Sequence, residues 1–254
     1  MNKLSVAIIT LNEEKNLERC LKSVEGIADE IIVLDSGSKD KTQQIAEKFG
    51  AQFLFNKWPG HVAQKNIALE KCLGDWVLSL DADECLTAEL ANEIKNILNG
   101  NIEDKADGYF LNRRSFYLGK WIWYAWYPEW RIRLIKKGKG KWAGTDPHDN
   151  LRVDGSTRKI KGADFLHYSY RDLKHHMDVT INYARIGAKA EINKGKSFSP
   201  IKMIISPLGR LFKQIFIKRA WMDGWRGWII IGSSVMAAFL KQAFLFEAFV
   251  KGNK

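Results

Sequence analysis

The first hundred residues alternate between short apolar runs and stretches with helical spacing. LSVAIIT (4–10) is apolar almost throughout and rich in β-branched residues, the pattern of a strand buried on both faces. NEEKNLERCLKSV (12–24) puts Leu17, Cys20, Leu21 and Val24 on one side of a helix. EIIVLDS (30–36) is apolar again. DKTQQIAEKFG (40–50) predicts a helix that opens on a capping-box spacing, Asp40 to Gln43, and closes on Gly50. AQFLFN (51–56), a helix around HVAQKNIALEKCL (61–73) and the strand DWVLSL (75–80) follow, and a helix over 87–98 starts at Thr87. Apolar strands joined by helices predict an α/β fold whose mostly parallel sheet is covered on both faces.

The pattern changes after residue 106, where GYFLNRRSFYLGKWIWYAWYPEWRIRLIKKGKGKW mixes aromatic and basic residues with little helical period. Antiparallel strands and loops are expected there, with KGKGK (137–141) as a turn between two of them. RDLKHHMDVTINYARIGAKAEINKG (171–195) returns to helix and ends on Gly195. Beyond Lys196 the chain is basic and aromatic, and up to Arg226 its only acid is Asp223. Phe212, Ile215, Phe216 and Arg219 have the spacing of an amphipathic helix suited either to a membrane interface or to packing on the rest of the chain. The expected division is therefore a main domain over 1–195, with halves 1–100 and 101–195, and an amphipathic helical tail over 196–254.

Charge adds a constraint on partners. Lys and Arg number 40 against 29 Asp and Glu, and the resulting +11 favours an anionic partner. Cys20, Cys72 and Cys85 have no metal-ligand or redox spacing and are expected as free thiols of a reducing compartment. The chain enters a strand at once, without signal-peptide patterning, and the uncharged stretch Gly227 to Leu240 is shorter than the ~20 residues that span a bilayer. These features predict a cytoplasmic protein with peripheral membrane contact.

Ligands of open parallel sheets bind beyond the carboxyl ends of the strands. Three predicted strands carry acids or amides there: Thr10 with Asn12 and Glu13, then Asp35 in DSGSKD, then Asp81 and Asp83 in LDADE. Neither a GxGxxG turn nor a phosphate loop ending in GK[ST] is present, so a bound nucleotide needs its phosphates held in another way. A divalent cation supplies that, with one or two carboxylates completing its shell beside diphosphate oxygens and water. Asp81 and Asp83 suit it, because side chains two apart on an extended segment point the same way. Asp35 suits a base or ribose, and Gln64 and Lys65 lie on a helix that reaches the same pocket.

TLNEE, DSGSKDKT, AQKNIAL and LDADE, in this order, resemble the motif series of family 2 glycosyltransferases of the GT-A fold, over about residues 4–100. YPEWRIRL, PHD, FLHYSY and the tail's WMDGWRGW are similar to the branch that contains lipopolysaccharide inner-core β-1,4-glucosyltransferases. The resemblance implies a Rossmann-like sheet with helices on both faces and an inverting transfer of a hexose, glucose in that branch, from a UDP-sugar to a lipid-linked glycan. It implies nucleotide-sugar contacts from Thr10, Asn12, Glu13, Asp35, Lys65 and Asp81. It also implies Mg²⁺ or Mn²⁺ on Asp83, with His148 or His167 as a further ligand or diphosphate contact. The general base is expected at Asp149, where the branch commonly has Glu, or else at Glu129. An anionic glycolipid acceptor at the inner face of the cytoplasmic membrane accounts for the basic and aromatic surplus.

Other classes fit less well. A flavodoxin-like signalling module with Asp35 as phosphoacceptor lacks an acidic pair at the first strand end. A nucleic-acid binder needs its cations on one face, and here they spread through the tail. A sugar nucleotidyltransferase needs a glycine-rich first loop, which TLNEE is not.

Overall fold

The computed structural model describes residues 2–101, 106–145 and 148–252. The chain folds as two compact units. The first comprises residues up to Arg114 together with Glu129–Tyr168; the second comprises Ser115–Pro128 and Ser169 onward. The composition change at 195–196 is thus not where the compact units part.

The first unit is built on a sheet. β1 (Leu4–Thr10), β2 (Glu30–Asp35), β3 (Gln52–Phe55) and β4 (Trp76–Asp81) are mutually parallel, in the order β3-β2-β1-β4. The sheet continues from β4 through β8 (Glu129–Lys136), β6 (Gly108–Tyr117) and β11 (Thr157–His167) to β5 (Glu84–Leu86). The β4–β8, β6–β8 and β5–β11 pairs are antiparallel. β9 (Gly140–Thr145) and β10 (His148–Val153) form a separate antiparallel ribbon.

The uninterrupted apolar character of the parallel strands has a direct cause. Leu4, Val6 and Ile8 of β1, with Trp76, Leu78 and Leu80 of β4, pack into one core with α1 (Leu17–Val24) and α4 (Ala88–Leu98). Ala7, Ile32, Leu34 and Val77 face the other way, against α3 (His61–Lys71) and the Trp142 and Leu151 side chains of the ribbon. Both faces are covered, so both parities along a strand are mostly apolar, and a buried polar residue such as Ser5 is hydrogen-bonded. Each fully buried Leu or Ile contributes roughly 1.5–3 kcal/mol of transfer free energy.

Two helix starts differ from their sequence patterns. α1 begins at Leu17, not at residue 12, because the backbone N–H groups of Asn12, Glu13 and Glu14 donate to Ser38, Thr42 and Asp40. Asn12 takes a left-handed conformation (φ 57°), which its short amide side chain tolerates, and accepts from the Lys39 N–H. α2 (Thr42–Lys48) has no capping box: Asp40 instead accepts from the N–H and hydroxyl of Thr42, and Gln43 pairs with Glu47. The helix from Thr87 forms as expected, with the Thr87 hydroxyl accepting from Leu90 N–H.

The second unit holds β7 (Lys120–Trp121), α5 (Leu173–Asn193), α6 (Pro200–Phe212) and α7 (Trp225–Gly252). α6 runs into a π-helical turn, Lys213–Ile217, and Arg219 (φ 51°) ends it. Ile215 therefore packs inward beside Ile230 and Ile231, while Phe212 and Phe216 stay exposed, and Arg219 does not continue the helical face expected of it. α7 has 28 residues and is long and apolar enough to cross a membrane, unlike its uncharged core taken alone.

Candidate active site

Parallel pairing puts Thr10 opposite Asp35, and Ile9 opposite Asp81, so the acids meet at one sheet edge. Asp35 is buried and its carboxylate is fully used. Oδ1 accepts from the hydroxyls of Thr10 and Ser38 (2.9 and 2.5 Å), and Oδ2 from the N–H groups of Gly37 and Ser38 (both 2.7 Å). Its visible work is to close the loop at 35–38, against which the Asn12–Glu14 turn is zipped.

The carboxylates of LDADE have different surroundings. Asp81 pairs with the Lys65 ammonium at 2.9 Å and with Arg133 at 3.1 Å. Glu84 is fully buried, takes Arg133 at 2.5 Å, and accepts from the Asp81 N–H at 3.0 Å. Lys65 also binds Asp149 at 2.8 Å and sits 4.3 Å above the Trp142 ring. Arg113 reaches Glu84 at 3.7 Å and Glu129 at 2.7 Å, and Glu129 also holds Arg131 at 2.7 Å. One continuous ladder of alternating charge results: Asp149, Lys65, Asp81, Arg133, Glu84, Arg113, Glu129, Arg131.

LDADE places three acids, Asp81, Asp83 and Glu84, within four residues, and this ladder compensates two of them. The protein's own cations neutralise Asp81 and Glu84, and a metal ion is not needed for those two. Burial alone raises the Asp81 carboxyl, but the charges of Lys65 and Arg133 outweigh it and hold Asp81 far below the usual carboxylate range. Burial likewise opposes the charges of Glu129 and Arg133. The arginines beside Glu129 lower it, and Glu84 and Asp81 keep Arg133 firmly protonated.

Asp83 stands apart from the ladder. Its Oδ2 lies 3.4 Å from His167 Nε2, and its carbonyl accepts from the Tyr168 N–H at 3.0 Å. Burial raises its carboxyl, and His167, through charge and hydrogen bonding, outweighs that and lowers it. His167 Nδ1 is buried with no hydrogen-bond partner. Among the described residues no group of three His, Cys, Asp or Glu side chains surrounds a metal position. The Asp83 carboxylate and the His167 Nε2 that faces it nevertheless fit a cation whose other positions come from diphosphate and water.

The residues expected from sequence fall into three sets. Lys65, Asp81, Asp83, Asp149 and His167 meet in or beside the ladder. Thr10, Asn12, Glu13 and Asp35 form the adjoining loop pair. Glu129 lies at the far end of the ladder, held by Arg113 and Arg131. Of the PHD motif, Pro147 and the side chain of His148 lie outside the described residues. Sequence reading missed Arg133 and Glu84 as the centre of the site. Their one signal is the period-two register that puts Glu129, Arg131 and Arg133 on one face of an otherwise apolar strand.

Comparison with known proteins identifies the family. The family model described as Glycosyl transferase family 2 matches residues 5–152. A glycosyltransferase of Rickettsia typhi is 33% identical over 100% of this chain and 90% of its own length. The lipopolysaccharide core biosynthesis glycosyltransferase LpsC of Rhizobium meliloti is 28% identical over 96% of this chain and 92% of its own. Among solved structures, S. aureus TarS 1–349 in complex with UDP-GlcNAc superposes with a TM-score of 0.52 at 14% identity, covering 98% of this chain and 92% of that one, which shows the shared GT-A-like fold. With its apolar parallel strands delivering acids to one edge, and relatives matching along its whole length, this chain belongs to glycosyl transferase family 2 and is a glycosyltransferase.

Proposed function

We propose that the protein transfers a hexose, glucose first among the candidates, with inversion from a UDP-sugar to a lipopolysaccharide-core or other lipid-linked glycan. The observation that carries this is the meeting of Lys65, Asp81 and Asp149 at the edge that also presents Asp83 and His167. The similarity to LpsC supports the acceptor class. Residues 1–100 serve as the donor half, 101–195 as the acceptor half, and 196–254 as a membrane-associating segment.

Asp83 and His167 would hold Mg²⁺ or Mn²⁺, which neutralises charge developing on the leaving diphosphate. Lys65 adds positive charge at the same place, and Asp81 orients it. Thr10, Asn12, Glu13 and the Asp35 loop form the nucleoside side of the pocket. Since the Asp35 carboxylate is already saturated, it contributes by fixing the loop's backbone groups. Asp149 takes the proton from the acceptor hydroxyl, since it lies beside Lys65 and Asp81 whereas Glu129 is held at the far end of the ladder. Two arginines hold Glu129 below the usual carboxylate range and make it a weak base.

The test is metal-dependent release of UDP when a core-oligosaccharide acceptor is supplied, alongside a thermal-shift screen of nucleotide sugars with and without Mn²⁺. Stabilisation by uridine nucleotides only, stronger with metal, is expected. Undiminished transfer by Asp83→Ala would remove the metal assignment.

A further inference from the structure

α6 carries an exposed apolar stripe that no other part of the second unit covers among the described residues. Ile201, Ile204, Ile205, Leu208 and Phe212 follow the i, i+3, i+4, i+7, i+11 spacing of one helix face, and each is 57–68% exposed. None of the helix's thirteen residues is fully buried. Phe216 extends the stripe, and Trp221, Trp225 and Trp228 are exposed just beyond it. An aqueous surface of this size is costly, and its residues are too regular in spacing to be scattered exposure.

The charges around it say what covers it. Lys202, Arg210, Lys213 and Arg219 are exposed along the same segment. The only acid there, Asp223, is turned away from that role, because its carboxylate accepts the backbone N–H groups of Trp123, Tyr124 and Ala125. An apolar stripe flanked by cations and followed by tryptophans matches the boundary between acyl chains and anionic headgroups. We infer that α6 and the turn after it form a docking surface for an anionic bilayer, with α6 lying in the interface plane.

α7 does not take the spanning role its length allows. Along its C-terminal half, Lys241 pairs with Glu191 of α5 at 3.6 Å, and Arg185 of α5 lies 5.7 Å from the Phe244 ring. Crossing a bilayer would carry these charges of α5 into hydrocarbon. α7 is instead the scaffold on which α6 and the π-helical turn are mounted, through Leu211 and Ile215 against Ile230 and Ile231.

The inference depends on the reading of a membrane-borne acceptor for its purpose but not for its test. The full chain is sedimented with phosphatidylcholine vesicles, with or without phosphatidylglycerol, and without donor or acceptor, while UDP binding is measured separately. Binding to anionic vesicles at least about tenfold tighter than to neutral ones, weakening with salt, is expected. The double variant Ile204→Glu with Leu208→Glu loses about tenfold or more of that binding and keeps UDP binding. Leu173→Glu with Ile192→Glu, an equal charge change at exposed sites on α5, leaves both intact. Arg210→Gln with Lys213→Gln narrows the preference for anionic lipid. Brominated lipids quench the native tryptophan fluorescence of the unmodified chain. The inference is overturned by absent quenching, by equal vesicle binding of the stripe variant, or by a solution dimer that this variant dissolves. Failed transfer with retained vesicle binding bears on the catalytic reading alone.

Discussion

A buried arginine in a sheet needs carboxylates within reach, and Arg133 has two, Asp81 and Glu84. Removing one partner of a buried pair costs roughly 3–5 kcal/mol, because the remaining charge stays desolvated. Arg133→Met is therefore expected to lower the unfolding free energy by an amount in that range, read as a lower urea midpoint, and to weaken UDP-sugar binding, as measured by chemical denaturation and calorimetry. Asp149 and Glu129 separate by a different experiment. Asp149→Asn is expected to lower kcat by about 10²–10⁴-fold with donor affinity little changed, and Glu129→Gln to act on acceptor KM or stability first. A single-turnover assay with a donor titration distinguishes them. The three cysteines are buried free thiols. Burial pushes Cys72 up to about 12 and raises Cys20 and Cys85. Ellman's reagent is thus expected to label none of them in the folded chain at mildly alkaline pH and all of them in urea. Lys65, Asp81, Asp83 and Asp149 stood out as candidates in the sequence because each sits in a short motif, Asp81 and Asp83 at a strand end and Lys65 within a helix. Arg133 was not, since its partner Glu84 lies 49 residues away and only strand pairing brings them together.

Elements form where their periodicity predicts, and their ends move where tertiary contacts compete. The helical pattern over 12–24 loses its first turn to hydrogen bonds with the 38–42 loop, a competitor that no local rule reveals. The amphipathic face expected through Arg219 stops at a π-helical turn. The turn into α7 depends on a glycine. A Cβ on Gly227 would stand 1.7 Å from the Ala220 carbonyl oxygen, and backbone cannot yield as a flexible side chain does. Gly227→Ala is expected to cost at least the ~1–3 kcal/mol typical of overpacking. Its effect should appear as a lower melting temperature and as faster proteolysis of the second unit, with the sheet unit's hydrogen-exchange protection retained.

Across the whole molecule, net charge and carboxylate environments set the response to acid. Hydrogen bonds from Lys136 and Ser156 hold Asp107 down at about 2, and Asp81, Asp83 and Glu129 are lowered too. A carboxyl lowered in the folded state binds its proton less readily than in the unfolded chain. Its stabilising effect is therefore full above the ordinary carboxylate value, about 4, and disappears as pH falls through the folded value. Denaturation midpoints are expected to hold near neutrality and to fall between about pH 4 and pH 2, with Asp107→Asn flattening part of that slope. The +11 charge adds self-repulsion as the acids protonate. At this scale the sequence by itself determined the α/β class, the parallel half of the sheet, the edge that gathers the acids and the basic character of the tail. Those properties follow from which side chains alternate or recur at helical spacing, and burial of a face depends on near neighbours in the chain. Only the tertiary structure decided that Lys65, Arg133 and Arg113 neutralise the acids of LDADE and its neighbours, and that Asp83 is left facing His167. It likewise decided that the compact units part at 114, 128 and 168 rather than at 195. The free energy of a buried charge depends on the partner across the fold, and that partner is chosen by strand order, which periodicity does not encode.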